Sequence, residues 1–281
     1  MKNNISYTIL FVPGGPGLSG VAESKLISPI ARSLGIEWVS WNSPSRLKPN
    51  SEPYQDQTAF RDWIFSLDRA FVKLRAATSG PLIVVGHSFG CIGALALARR
   101  YPSEIQRLGL VTPSFRQYPT HKNIAGLALR DFRGSDPEKA ARMDKLLAAT
   151  QVNYDPAMRE ALALAFEDPE LLQNYWRDPA QLQVWLDCLS PPEYIIDFDL
   201  FHSVSLDLSR HPDVHDLEAP VIIPTYVAWG ERDPVIHPVS ERQLVRRSFI
   251  RLEERTFPGT AHFVQLEATA EWLRWLSQSA G

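Results

Sequence analysis

The chain has 281 residues, of which 44% are apolar and 22% are charged, and its formal net charge is −3. This composition is ordinary for a globular protein and excludes an extended disordered chain as the default structure. The near-neutral net charge does not indicate the clustered basic surface typical of nucleic-acid binding. We interpret the basic residues at 242–251 as a solvated helix face.

The two cysteines, Cys91 and Cys188, lie 97 positions apart without metal-site spacing or the pattern of a disulfide framework. We therefore expect a reducing compartment, no metal and no cofactor. The apolar stretch 7–12 is too short for the core of a signal peptide, and no segment approaches the ~18 apolar residues of a membrane span. The expectation is a cytoplasmic protein without a membrane or nucleic-acid partner.

The first third of the chain alternates apolar runs with segments of helical periodicity. The run 7–12 is apolar on both faces, which is typical of a parallel strand covered by helices on each side. Predicted strands cover 7–12, 37–41, 82–85 and 108–112, and predicted helices cover 23–34, 57–77 and 91–101. The pattern returns later with strands at 224–229 and 253–257 and helices at 240–249 and 268–278. Such alternation predicts right-handed βαβ units and a mostly parallel sheet of about six strands.

Residues 114–216 interrupt this alternation with helical segments and no strong strand. Helices are predicted at 137–150, 156–166 and 170–187. Four Asp-Pro pairs, which begin at Asp136, Asp155, Asp168 and Asp178, place a capping aspartate before a proline suited to the first helical position. We predict a core domain of residues 1–113 and 217–281 and a helical cap domain of residues 114–216 above the C-terminal ends of the strands.

The segment Gly86-His87-Ser88-Phe89-Gly90 fits the pattern G-x-S-x-G and stands between a predicted strand and a predicted helix. This context is typical of a nucleophile elbow, in which a sharp turn lifts the serine oxygen clear of the sheet. Small residues are needed on both flanks of such a turn. The pattern predicts Ser88 as a catalytic nucleophile.

A serine needs a base, and the base needs an orienting acid, in the chain order Ser, Asp or Glu, His. His262 follows the last predicted strand, and Asp233 follows the strand before it, so both fall at the same sheet edge as Ser88. Glu231 is the alternative acid. The remaining histidines are predicted to be structural or solvent-facing: His87, His121, His202, His211, His215 and His237.

An acyl-transfer site also needs backbone N–H donors for the developing oxyanion. Phe89, directly after the nucleophile, is predicted to supply one. The loop Gly14-Gly15-Pro16-Gly17 follows the first strand, and its glycines allow the backbone to approach a substrate closely. We predict Gly15 as the second donor.

Together these segments resemble the α/β-hydrolase superfamily. The motifs VPGGPG, VVGHSFG, WGERDPV and PGTAHF occur in the family's order, with a helical cap between them, and the resemblance covers nearly the whole chain. It implies the α/β-hydrolase fold and the triad Ser88, Asp233 and His262. The short N-terminal lead implies that the family's initial β-hairpin is lacking here.

The GGPG loop is similar to that of the proline iminopeptidase branch. Pro13 stands where that branch has a histidine, and WNSP and GHSFG replace its DQRG-like and GGSWG segments. Aminopeptidase activity would need cap carboxylates to bind the substrate amine, and Glu193, Asp197 and Asp199 are the candidates.

The sequence thus favours a serine hydrolase that acts on a carboxylic ester or lactone, with a small-molecule acyl substrate that is free or carrier-bound. The aromatic residues of the insert suggest a mainly apolar pocket. Alternatives are a thioesterase, an aminopeptidase, a C–C bond hydrolase and a ligand receptor that retains the triad without turnover.

Overall fold

The computed structural model describes residues 7–43, 58–151, 154–189, 197–210, 220–236 and 238–278. One parallel sheet has the strand order β2-β1-β3-β4-β5-β6. The strands are β1 (Tyr7–Val12), β2 (Ile36–Ser40), β3 (Leu82–His87), β4 (Ile105–Val111), β5 (Thr225–Gly230) and β6 (Leu252–Phe257). The predicted six-stranded parallel sheet is confirmed. The predicted lack of an N-terminal hairpin concerns residues 1–6, which lie outside the described residues.

Helices cover both faces of the sheet. They are α1 (Val21–Ser33), α2 (Ala59–Ala77), α3 (Gly90–Arg100), α4 (Gln117–Ser135), α5 (Pro137–Ala149), α6 (Pro156–Ala165), α7 (Pro179–Cys188), α8 (Phe198–Arg210), α9 (Pro238–Ser248), α10 (Val264–Glu267) and α11 (Thr269–Ser277). Alternate side chains of β1 separate the two cores: Ile9 and Phe11 pack with α1 and α11, whereas Leu10 and Val12 pack with α2 and α3. This two-faced burial explains the apolar run of β1.

The helical insert lies between β4 and β5 and differs in detail from the prediction. The helices α4 and α8 were not predicted. The expected helix at 170–187 is instead a 3-10 helix over Leu171–Tyr175 followed by α7. The 3-10 helix ends at Tyr175, and Pro179 disfavours helical backbone at Asp178, which instead caps α7. The division into core and cap domains stays a prediction.

Three of the four aspartates expected to cap helices do so. The side chains of Asp136, Asp155 and Asp178 accept hydrogen bonds from the backbone N–H groups of the first turns of α5, α6 and α7. Asp168 accepts instead from the N–H of Glu170 at 3.1 Å, ahead of the 3-10 helix, so its predicted role as an α-helix cap is wrong.

The parallel register places the functional loops together. Val12 pairs with Gly86, His87 with Val111, and Gly230 with Phe257. Because parallel strands all end at one edge, the segments that follow β1, β3, β4, β5 and β6 meet above that edge. The strand order reverses between β1 and β3, which is the position where open α/β sheets form their binding crevice.

Candidate active site

Ser88 occupies a strained turn between β3 and α3. Its backbone has φ of +50°, a left-handed conformation that is uncommon for a residue with a side chain. A Cβ on Gly86 would lie 2.6 Å from the Cα of Cys91, and one on Gly90 would overlap the carbonyl oxygens of Val12 and Pro13. The two glycines of the motif are therefore required by close backbone approach, as the sequence pattern predicts.

His262 and Asp233 form a buried pair at the same edge. His262 Nδ1 lies 2.9 Å from Asp233 Oδ2, and both side chains are almost fully excluded from solvent. The other carboxylate oxygen, Oδ1, accepts from the backbone N–H groups of Val235 at 2.8 Å and Ile236 at 3.3 Å. The turn after β5 thus fixes the carboxylate, and the carboxylate orients the imidazole.

Glu231, the alternative acid, has a different partner. Its side chain is exposed, and Oε2 accepts a hydrogen bond of 2.8 Å from the N–H of Gly259. Glu231 therefore braces the loop before His262, whereas Asp233 contacts the imidazole directly.

The backbone of His262 is held by three further residues. Its N–H donates to the carbonyl oxygen of Tyr175 at 3.0 Å, and its carbonyl oxygen accepts from His87 Nε2 and Thr112 Oγ1, both at 3.0 Å. Burial, reinforced by the neighbouring His262, keeps the pKa of His87 well below its usual value, so His87 is neutral. Thr112 was not predicted as a site residue, and His87 was assigned no specific role. Thr112 has φ of +42°, and no sequence pattern marked that strain.

Glu267 ties the histidine loop to the insert. Its carboxylate accepts from the N–H of Ala261 at 2.6 Å and from the N–H of Arg177 at 2.7 Å, and its burial raises its pKa. Beside this link, Trp176 stacks on Phe263 with ring centroids 4.4 Å apart. The aromatic wall from the insert and the loop carrying His262 therefore form one packed unit.

The two predicted oxyanion donors, Gly15 and Phe89, line the same cavity as Ser88. Phe89 stands at the N-terminus of α3, where free backbone N–H groups and the helix dipole favour negative charge. Gly15 has φ of +54° in the turn after β1. A Cβ on neighbouring Gly14 would lie 2.7 Å from His87 Nδ1 and 3.1 Å from Ser88 Cβ, so this loop packs directly against the elbow.

A cavity of about 90 Å³ joins these groups. Gly15, Ser88, Phe89 and His262 all line it. The rest of its wall is mainly apolar and includes Leu18, Ile124, Phe166, Leu172, Tyr175, Trp176, Trp185, Phe201, Val235 and Phe263. A candidate nucleophile, a candidate base and two candidate oxyanion donors thus share one mainly apolar space, an arrangement that can support acyl transfer.

The other predicted candidates occupy different places. Asp197 is buried, and its Oδ1 accepts from the N–H of Leu200 at 3.0 Å, which caps α8. Asp199 is exposed, and Glu193 lies outside the described residues. Of the remaining histidines, His121 lines the cavity, His202 Nδ1 lies 3.2 Å from the hydroxyl of Tyr154, and His211, His215 and His237 lie outside the described residues.

Within the described ranges, no cluster of three or more His, Cys, Asp or Glu side chains has an arrangement suited to a metal ion. Over those same ranges, no helix has the length and apolar character needed to cross a bilayer. Cys91 is fully buried and its burial raises its thiol pKa well above the usual value, which fits a structural role.

Comparison with known proteins gives a consistent family. The model of the family described as alpha/beta hydrolase fold matches residues 7–269. The chain is 24% identical over 197 residues to monoacylglycerol lipase ABHD6 of Homo sapiens, a match that covers 70% of this chain and 54% of that protein. The chain thus spans about half the length of the curated relatives it matches.

Solved structures share the fold. A proline iminopeptidase-related protein from Thermus thermophilus superposes with a TM-score of 0.64 at 20% identity, covering 96% of this chain and 90% of that chain. Est816, described as an N-acyl homoserine lactone degrading enzyme, superposes with a TM-score of 0.57 at 18% identity, covering 96% and 92%. These identities support a common fold alone.

Proposed function

Because this chain belongs to the α/β-hydrolase family, we propose that it is a serine hydrolase that cleaves a carboxylic ester, lactone or related acyl bond. The observation that carries the proposal is the buried 2.9 Å pair of His262 and Asp233, in which His262 lines the same cavity as Ser88. The similarity to a monoacylglycerol lipase supports ester hydrolysis in general.

In the proposed mechanism, Ser88 Oγ attacks the substrate carbonyl while His262 Nε2 takes its proton. Asp233 keeps the other ring nitrogen protonated and stabilises the imidazolium. The N–H groups of Gly15 and Phe89 bind the oxyanion, each contributing about 3–4 kcal/mol to transition-state stabilisation. The tetrahedral intermediate expels the alcohol, which receives the proton from His262. Water activated by His262 then hydrolyses the acyl-serine and releases the acid.

The size of the cavity favours small acyl or alcohol groups. Its volume of about 90 Å³ is less than the ~150 Å³ of an engineered apolar cavity that holds one benzene. Larger groups would exceed this volume. We therefore expect a higher kcat/KM for p-nitrophenyl acetate and butanoate than for the dodecanoate.

The first test is turnover of p-nitrophenyl butanoate by the wild type, Ser88→Ala and the control Ser135→Ala, which alters an exposed serine of α4. Intact mass after treatment with a fluorophosphonate reports the reactive serine. We expect turnover and a single adduct for the wild type and Ser135→Ala, and neither for Ser88→Ala. A wild type that neither turns over nor labels would contradict the proposal and favour a ligand receptor.

The same assay with acyl thioesters and aminoacyl amides separates the rival activities. The described candidates for binding a substrate amine give no support to an aminopeptidase, since Asp197 caps a helix and Asp199 is exposed. Preferential turnover of prolyl amides would overturn the ester assignment, and preferential turnover of thioesters would replace it with a thioesterase.

A further inference from the structure

The cavity beside Ser88 has one polar wall. The turn after β4 and the first turns of α4 contribute Ser114, Gln117, Thr120 and His121, whereas most of the lining from other segments is apolar. The polar wall starts next to the nucleophile, because the N–H of Ser114 donates to the carbonyl oxygen of Ser88 at 3.3 Å. A group bound at this wall would lie close to the scissile carbonyl.

The hydroxyl and amide hydrogens of Ser114, Thr120 and Gln117 are already used. Gln117 Nε2 donates to the carbonyl oxygen of Ser114 at 2.6 Å and to its Oγ at 3.3 Å. Thr120 Oγ1 donates its hydrogen to the carbonyl oxygen of Arg116 at 3.2 Å. The hydroxyls of Ser114 and Thr120 lie 2.8 Å apart, so in this contact Ser114 is the donor and Thr120 the acceptor.

These bonds fix the orientation of the Gln117 amide. A carbonyl oxygen can only accept, so the amide atom 2.6 Å from Ser114 is the nitrogen. The remaining amide atom is the oxygen, an acceptor to which no other described residue donates. Gln117 is 7% exposed and lines the cavity, so a group bound there can reach this acceptor, and a bound group without a donor would leave it unpaired at a cost.

The turn that carries this wall is held rigidly from outside the cavity. The buried carboxylate of Glu241 on α9 accepts from the N–H of Arg116 at 2.8 Å and from the N–H of Phe115 at 3.3 Å. Gln117 is therefore presented from a fixed backbone, as a specificity site requires.

Resting on the proposed function, we propose that Gln117 determines substrate specificity by accepting a hydrogen bond from an O–H or N–H group near the scissile carbonyl. The substrate class is then a small acyl compound with one hydrogen-bond donor and otherwise apolar groups. An isosteric substrate with a methyl group in place of the donor leaves the amide oxygen unpaired and reacts more slowly.

The test compares isosteric ester pairs. One pair carries the donor in the alcohol, hydroxyethyl butanoate against propyl butanoate. The other carries it in the acyl group, ethyl β-hydroxybutanoate against ethyl β-methylbutanoate. We expect the wild type to favour the hydroxylated member of one pair by about tenfold to a hundredfold in kcat/KM, the range for one unpaired buried acceptor.

Gln117→Met removes the acceptor while keeping a side chain of similar length, and we expect it to reduce this ratio to near one. Gln183→Met, the same substitution on the exposed face of α7, should keep the wild-type ratio. The ratio compares two substrates on one variant, so general loss of structure does not imitate the effect.

A wild type that turns over both members of both pairs equally would overturn this inference and leave the hydrolase assignment intact. A ratio that persists in Gln117→Met would also overturn it. Absence of turnover for every ester would instead contradict the proposed function itself, so the two failures are distinguishable.

Discussion

Replacement of Asp233 by asparagine tests the proposed catalytic pair through the tautomer of His262. Oδ1 of Asp233 accepts from two backbone N–H groups, those of Val235 and Ile236. An asparagine must therefore place its oxygen there and its amide nitrogen at the Oδ2 position, 2.9 Å from His262 Nδ1. The amide nitrogen can only donate, so Nδ1 becomes the acceptor and the ring proton moves to Nε2. Protonated Nε2 can no longer accept the proton of Ser88.

The expected loss is large because the wrong tautomer removes general-base catalysis. We expect kcat for p-nitrophenyl butanoate to fall about 10⁴-fold, equivalent to about 5.4 kcal/mol in the activation barrier. The substitution conserves shape and both backbone hydrogen bonds, so the melting temperature should change little. Together, these two measurements separate a catalytic defect from a folding defect.

Glu231→Gln is the matched control, since it also converts a carboxylate to an amide on the segment after β5. Gln can still accept from the N–H of Gly259, so we expect kcat within about threefold of the wild type. Two results would refute the reasoning: Asp233→Asn with activity within tenfold of the wild type, or a Glu231→Gln defect as large as that of Asp233→Asn.

Three further substitutions probe the fold around the site. Gly90→Ala forces a Cβ into two carbonyl oxygens, so it should sharply lower soluble expression or the melting temperature. Gly80→Ala should not, because open space surrounds Gly80. Equal behaviour of the two variants would contradict the close-packed elbow. Thr112→Val removes the hydroxyl that donates to the carbonyl oxygen of His262 and should lower kcat about tenfold with little change in KM. Thr112→Ser keeps a hydroxyl and should retain most of the wild-type kcat. Equal kcat for the two variants would argue against positioning by the hydroxyl. Burial raises the pKa of Glu23 from 4.5 to about 7, so the folded state binds this proton more tightly and the free energy of unfolding falls as pH rises through that window. Glu23→Gln should remove this decline and stabilise the protein at pH 8 by about 3 kcal/mol relative to wild type, with no such gain at pH 4; urea denaturation at both pH values measures it, and a gain independent of pH would contradict the linkage.

Local sequence patterns determined the secondary structure that builds the sheet. Strand-like segments alternating with helical periodicity predicted all six strands, and G-x-S-x-G between a strand and a helix predicted the sharp turn at Ser88. These features could be predicted because they depend on residues close together in the chain. The missed helices α4 and α8 and the break at 176–178 lie in the insert, where amphipathic segments pack on one another without the regular alternation of the core.

Pairings between distant residues were decided by the tertiary structure alone. The sequence left Glu231 beside Asp233 as a possible acid, and the geometry of the turn after β5 places only Asp233 on the imidazole. The support of His262 by Tyr175, Thr112 and His87 was also invisible in the sequence. Hydrogen bonds such as these join backbone and side-chain atoms 87 to 175 positions apart. Their geometry depends on strand register and on backbone angles at single residues, which a pattern of residue types does not specify.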